Sequence, residues 1–281
     1  MTEARISPVR RWLMWWFGRP ANPYVTVSFS VDVAPTLQWL DTLSAPRPTL
    51  HHVLMAAVGR TLREFPAANA RVLGRRIVRF DHVGVVMPVN LLGHAGEARR
   101  EVSLTIVDHV DRLSVRAIAE ATREAVKGER TGAPQLGLVQ QLLKVVENAP
   151  PRVIDATFSA IDFASRRDPV ARQLHAWMPL TTAISNAGAA FRKGDGMWFR
   201  GADIAVPTRL VDLGTFWGVS AIQDEVVAVD GVPVVRPILP LVFLFDHRLI
   251  DGVMAARLLT RFGEHLRDPS TSFGADADRA A

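Results

Sequence analysis

The stretch 243–252, FLFDHRLIDG, places a histidine, His247, at the end of an apolar run, with Asp251 four residues later and Gly252 directly behind it. An imidazole titrates near pH 6.5, so a histidine held in one place can take up and return a proton at neutral pH. Residues 241–245 read as a fully buried strand, and Asp251-Gly252 as a turn signal. Residues 253–266 read as a helix, with Val253, Met254, Leu258, Leu259, Phe262 and Leu266 near one side. A strand–turn–helix corner is a rigid place from which to present an imidazole. A side chain four residues on can turn back to brace the ring, or simply cap the helix that follows. A second polar group, Ser185-Asn186 just before Gly188, reads by itself as an ordinary turn signal.

Around these residues the chain looks like a globular protein with ample length for a core. It has 281 residues, 48% of them hydrophobic and 22% charged. The net charge of +5 is modest and arginine is scattered along the chain, so there is no basic stripe of the kind that binds nucleic acid. A general bias toward anionic ligands is compatible with that charge. The absence of cysteine excludes disulfides, thiolate nucleophiles and Cys-ligated metals, and suits a reducing cytoplasm. No signal peptide and no apolar run of spanning length is visible. Residues 24–33 alternate like a half-buried strand. Residues 48–65 read as a helix with Leu50, Val53, Leu54, Ala57, Val58 and Leu62 apolar, and 115–126 as another helix.

DHRLIDG resembles the DHRxxDG signature of the dihydrolipoamide acyltransferases, the core subunits of 2-oxoacid dehydrogenase complexes; the shorter HxxxDG form is shared with chloramphenicol acetyltransferase. The resemblance extends along most of the chain, from about 9 to 266. Residues 9–14 are similar to the family's Arg-rich opening helix, 24–33 to its strand ending in VDV, 64–70 to its helix end, and 83–89 to its next buried strand. Residues 218–222 and 232–239 look like the last two strands before the catalytic one. Residues 181–188, TTAISNAG, are similar to its TFTISNLG strand, with Ala183 and Ala187 as departures that leave the hydroxyl intact.

The resemblance implies an α/β fold, a two-layer sandwich with a mixed β-sheet covered by helices as in chloramphenicol acetyltransferase. It implies a single catalytic domain over residues 1–267. The implied activity is transfer of an acyl group between coenzyme A, acting as substrate, and a thiol such as dihydrolipoamide or another small acceptor. His247 would be the general base, Ser185 the oxyanion donor, and Asn186 would help hold CoA. The resemblance gives Asp251 a bracing role, paired with Arg10 or with Arg248, with Gly252 as structural support. It implies a homotrimer whose sites lie between subunits; the spacing of the histidines gives no expectation of a metal.

Two departures stand out. Lipoyl and subunit-binding modules are not expected here, because only a handful of residues precede Val9. The acyl group would then come from a lipoyl-bearing protein in trans or from a small thioester. Residues 134–180 look like a helical insertion: Leu136, Val139, Leu142, Leu143 and Val146 mark one amphipathic helix, and 154–174 a second, interrupted by Pro169. Residues 268–281 read as a disordered polar tail. His51, His52, His82, His94, His109, His175 and His265 show no ligand spacing. The N-terminal Trp12, Trp15, Trp16 and Phe17 read as packing residues, with a membrane-surface helix as the weaker alternative. The competing functions are a non-catalytic trimeric assembly subunit and a membrane-peripheral binding module. Intact His247, Asp251, Gly252 and Ser185 argue against the first.

Overall fold

The computed structural model describes residues 2–3, 23–90, 102–131, 135, 150–191, 198–201 and 213–277. In chain order its elements are β1 (Thr2–Glu3), β2 (Tyr24–Asp32), α1 (Ala34–Thr42), α2 (Leu50–Glu64), β3 (Ala70–Leu73), β4 (Arg76–Arg79), β5 (Val85–Asn90), β6 (Val102–Val107) and α3 (Val115–Arg130). They continue with α4 (Pro151–Ser165), α5 (Asp168–Trp177), β7 (Thr182–Asn186) and a 3-10 turn (Ala187–Ala190). The last are β8 (Thr215–Val219), β9 (Gln223–Val229), β10 (Val232–Asp246), α6 (Gly252–Arg267) and α7 (Pro269–Ala277). One mixed sheet runs β2-β10-β8-β7-β5-β6, with β9 on β10, and a small sheet runs β1-β4-β3. This is the mixed α/β sandwich expected from the sequence.

β10 organises the large sheet. It pairs antiparallel with β2 from Ile238 to Asp246 and with β8 from Leu241 to Phe245. Every residue of β10 from Ile238 onward is buried, which is why the segment reads as a continuous apolar run: both faces of the strand are covered. Leu239, Leu241, Phe243 and Phe245 turn to the helical layer, where Trp217 lies 4.5 Å from Phe243 and 4.8 Å from Phe262 between ring centroids. Val242 and Leu244 turn to the opposite face, with Val86, Phe216 and Ile106. Burying one such aromatic is worth about 2–3 kcal/mol.

Two expectations are corrected. Residues 232–239 and 241–245 form one strand rather than two. Pro237 and Pro240 lie within this strand, opposite Asp224 of β9 and Ser30 of β2, and each turns its carbonyl to a residue just past the end of the neighbour on its other side. The Pro237 carbonyl accepts from Val33, one residue beyond β2, and the Pro240 carbonyl from Ser220, one residue beyond β8. The missing N–H of each proline therefore points beyond the end of β2 or β8, where no ladder bond is lost. Residues 269–277 are helical rather than a disordered tail. The composition is polar, but Phe273 is only 1% exposed and sits 6.1 Å from Trp39 and 6.0 Å from His265 between centroids, so one aromatic docks the helix. Residues 278–281 lie outside the described residues. The helical stretch expected over 154–174 is indeed interrupted at Pro169: it forms α4 and α5, and Pro169 sits in the first turn of α5, where proline's fixed φ is suited. β9 was not foreseen; it pairs with β10 through the turn at Asp230 (φ 50°) and Gly231 (φ 79°), a left-handed pair suited to a hairpin. The amphipathic helix expected around Leu136 to Val146 and the tryptophan-rich N-terminus lie outside the described residues.

The start of α2 is held by a capping box in which histidine replaces the usual acid. Thr49 caps the helix, and the Nδ1 of His52 accepts from the Thr49 backbone N–H at 2.9 Å. Burial, helped by the nearby charges of His51 and Arg123, lowers the His52 pKa to about 4. The unfolded value is near 6.5, so the folded state binds fewer protons. The stabilisation is full above pH 6.5 and is lost as pH falls toward 4. We predict that His52→Glu, which keeps an acceptor at the same place, loses less melting temperature between pH 7 and pH 5 than the native chain. Equal losses in thermal melts would refute this.

Candidate active site

His247 follows directly on β10, where the strand's last ladder bonds fix its position. Its backbone N–H donates to the Pro23 carbonyl at 3.0 Å, just ahead of β2, and its half-buried ring lies 5.9 Å from that of Phe245. The neighbouring Asp246 is 1% exposed and makes the turn. Its N–H donates to the Gly214 carbonyl at 2.9 Å, and its carbonyl accepts from Leu249 at 2.9 Å and Ile250 at 3.3 Å. Its carboxylate takes both arms of Arg248, Nε to Oδ1 at 2.9 Å and Nη2 to Oδ2 at 2.6 Å, and also the Arg248 backbone N–H at 2.9 Å. A buried carboxylate tolerates its loss of water only with such a charge-assisted fork.

Arg248, one of the two expected partners of Asp251, engages the nearer, buried Asp246. Asp251 is the N-cap of α6, its Oδ1 accepting from the Met254 N–H at 2.9 Å. Arg10, the other expected partner, lies outside the described residues. A Cβ at Gly252 would meet no described atom within 4 Å, so no close approach there requires glycine. Gly188 is the reverse case. A Cβ there would come within 2.1 Å of the Ser220 backbone, so the motif's glycine is needed for the 3-10 turn to lie against residues 220–221.

Ser185 is half-buried on β7, and the strand alternation turns it to the same face as Ala183, away from the helical layer. Its register partner is Gly218 of β8, whose own partner is Val242 of β10. His247 is five residues beyond Val242. Two interstrand steps of ~4.8 Å and five residues of ~3.3 Å put Ser185 and His247 roughly 19 Å apart within one chain. The chain therefore holds the two candidate groups at opposite ends of the sheet and does not by itself bring them together.

Asn186 is close to a residue that the sequence reading set aside. Its Oδ1 accepts from the Ala189 N–H at 3.1 Å, and its Nδ2 lies 3.4 Å from the Nδ1 of His51. The only hint in the sequence was a histidine pair at a helix start, and periodicity could not tell which ring faces the sheet. His82 stacks on His175 at 5.0 Å and lies 4.9 Å from His109, but among the described residues no group of three or more His, Cys, Asp or Glu is arranged to hold a metal ion. Among the same residues no helix is long and apolar enough to cross a membrane.

The fold is one that several solved acyltransferases share. The fold matches, over nearly its whole length, that of a probable dihydrolipoamide acetyltransferase from Listeria monocytogenes 4b F2365 (TM-score 0.62, 16% identity, 95% of each chain). It also matches the dihydrolipoamide acetyltransferase of Azotobacter vinelandii (TM-score 0.63, 18% identity, 97% of this chain and 93% of that one) and a chloramphenicol acetyltransferase (TM-score 0.53, 13% identity, 95% and 99%). Residues 214–273 match the family model of the 2-oxoacid dehydrogenases acyltransferase (catalytic domain), so the segment carrying β8, β10, His247 and α6 bears that family's pattern. A 52-residue stretch is 40% identical to the dihydrolipoyllysine-residue succinyltransferase component of the 2-oxoglutarate dehydrogenase complex of Bartonella vinsonii subsp. berkhoffii. That match spans 18% of this chain and 13% of the relative.

Arg248→Met removes the counter-charge of a carboxylate that water cannot reach. We predict a loss of roughly 3–5 kcal/mol in denaturant unfolding. A loss below about 1 kcal/mol would mean that Asp246 is satisfied without the guanidinium.

Proposed function

We propose that the protein is a CoA-dependent acyltransferase that moves an acyl group between CoA and a thiol, dihydrolipoamide being the leading acceptor, in sites completed between the subunits of a homotrimer. The observation that carries this reading is the wide separation of Ser185 and His247 in a fold whose relatives are acyltransferase cores. A histidine and a hydroxyl must both reach one carbonyl. In this chain that requires His247 of one copy to meet Ser185 of another.

The chemistry follows from the two groups. A thiol with pKa near 8.5 is mostly protonated at neutral pH. His247 takes the S–H proton as sulfur attacks the thioester carbon, and the carbonyl electron pair moves to oxygen. The Ser185 hydroxyl donates to that oxyanion. The tetrahedral species collapses by breaking the other C–S bond, and the departing thiolate takes the proton back from His247. No acyl-enzyme forms, because the acceptor thiol is itself the nucleophile. Asn186 holds CoA beside Ser185. The Azotobacter protein was studied for the role of a serine, a histidine and an asparagine in its mechanism, the last following the histidine by four positions, as Asp251 follows His247 here.

Subunit association is also supported by the β9–β10 arm. Val226 and Val235 face each other across it and are 70% and 65% exposed, an apolar surface that a second copy would cover. In this reading a lipoyl-bearing partner delivers the acyl group, and a cytoplasmic setting suits the absence of cysteine.

We predict that His247→Ala lowers kcat about 10²–10⁴-fold and that Ser185→Ala lowers it about 10²–10³-fold. Thiol release from acetyl-CoA with dihydrolipoamide as acceptor measures both. Co-expression of the two variants should restore part of the activity through hybrid interfaces. Undiminished turnover by His247→Ala would end the acyltransferase reading. Proven mixed trimers without complementation would end the shared-site reading.

A further inference from the structure

We infer that His51 is a positioning residue for Asn186: it fixes the Asn186 amide so that its free N–H points to the ligand, making this part of the site a hydrogen-bond donor. The inference rests on the proposed CoA site and adds to it a residue and a polarity.

His51 opens α2 and stands half-buried between two strands of the sheet. Its Nε2 lies 3.4 Å from the Sδ of Met87 on β5, and its Nδ1 lies 3.4 Å from the Nδ2 of Asn186 on β7. An amide NH2 is only a donor and a thioether only a weak acceptor. A single ring form satisfies both neighbours, the neutral one with its hydrogen on Nε2. A hydrogen on Nδ1 would face the amide's own N–H groups. Burial lowers the His51 pKa, which agrees with a neutral ring.

The other end of the Asn186 amide is fixed too, since Oδ1 accepts from the Ala189 N–H at 3.1 Å and closes the 3-10 turn. With oxygen committed to the turn and one N–H to His51, the amide cannot flip without losing both bonds. What it offers a ligand is its second N–H. The matching groups on a CoA-like ligand are amide carbonyl or phosphate oxygens. Without an acceptor at position 51 the NH2 would lose one anchor, and the amide would hold the ligand less well. Nothing in this geometry places His51 near the reacting carbonyl, so its loss should affect binding far more than turnover.

The test is CoA affinity by calorimetry, with steady-state kinetics alongside. His51→Leu removes the acceptor and is expected to weaken CoA binding and raise KM about tenfold, with kcat within about twofold. His51→Asn sets an uncharged oxygen near the place of Nδ1 and should bring affinity back to within about threefold of the native protein. In an Asn186→Ala background, His51→Leu should add no further loss, because His51 acts only through Asn186. Equal affinity in His51→Leu and the native protein would overturn the inference, as would additive losses in the double variant or failure of His51→Asn to restore affinity at native melting temperature. Should His51→Leu not fold, the comparison of His51→Asn with the native protein and the Asn186→Ala background decides alone. Absence of CoA binding by the native protein would instead overturn the acyltransferase reading, and this inference with it.

Discussion

The register of β10 is the constraint on which the rest depends. The strand is paired on both sides and buried on both faces from Ile238 onward. A slip of one residue would send Phe243 and Phe245 to the wrong face and turn Val242 and Leu244 toward the helices. That cost pins the strand, and the strand in turn fixes where Asp246 and His247 leave the sheet. The candidate corner is thus placed by hydrophobic burial well before any polar contact acts on it.

At the corner, polar chemistry takes over. Asp246 carries out several tasks at once: it ends the ladder, accepts the turn's backbone N–H groups and holds Arg248 in a fork. Each bond compensates the others, since a carboxylate 1% exposed would be intolerable without them. Asp251 has the plainer role of capping α6. The two aspartates of the motif divide the work by burial, the deep one pairing with charge and the shallow one with a helix end.

Much of this was legible in the sequence. The 241–245 run, the helix after it and the strand at 24–33 all follow from apolar periodicity, and each is present. The readings that failed share a cause. Whether 232–239 and 241–245 join into one strand depends on where β2 and β8 end, because that decides whether the donors missing at Pro237 and Pro240 are needed. The polar helix α7 is recruited by one phenylalanine finding a hole beside Trp39. That Arg248 engages Asp246 could not be read in advance, because spacing along a chain says nothing about which carboxylate is buried. His51 was set aside because which side of α2 meets the sheet is decided by packing.

By itself the sequence determined the types of chemical group and the local elements that carry them: a histidine at the end of a buried strand, a serine and an asparagine at the end of another, and an aspartate able to cap a helix. Such features depend on neighbours within a few residues, so they can be read from order alone. Tertiary structure decided distance and pairing. It set Ser185 and His247 at opposite ends of one sheet, joined Arg248 to Asp246, and brought His51, 135 residues away in the chain, against Asn186. Those outcomes depend on which surfaces lose water together, a property of the whole fold rather than of any segment.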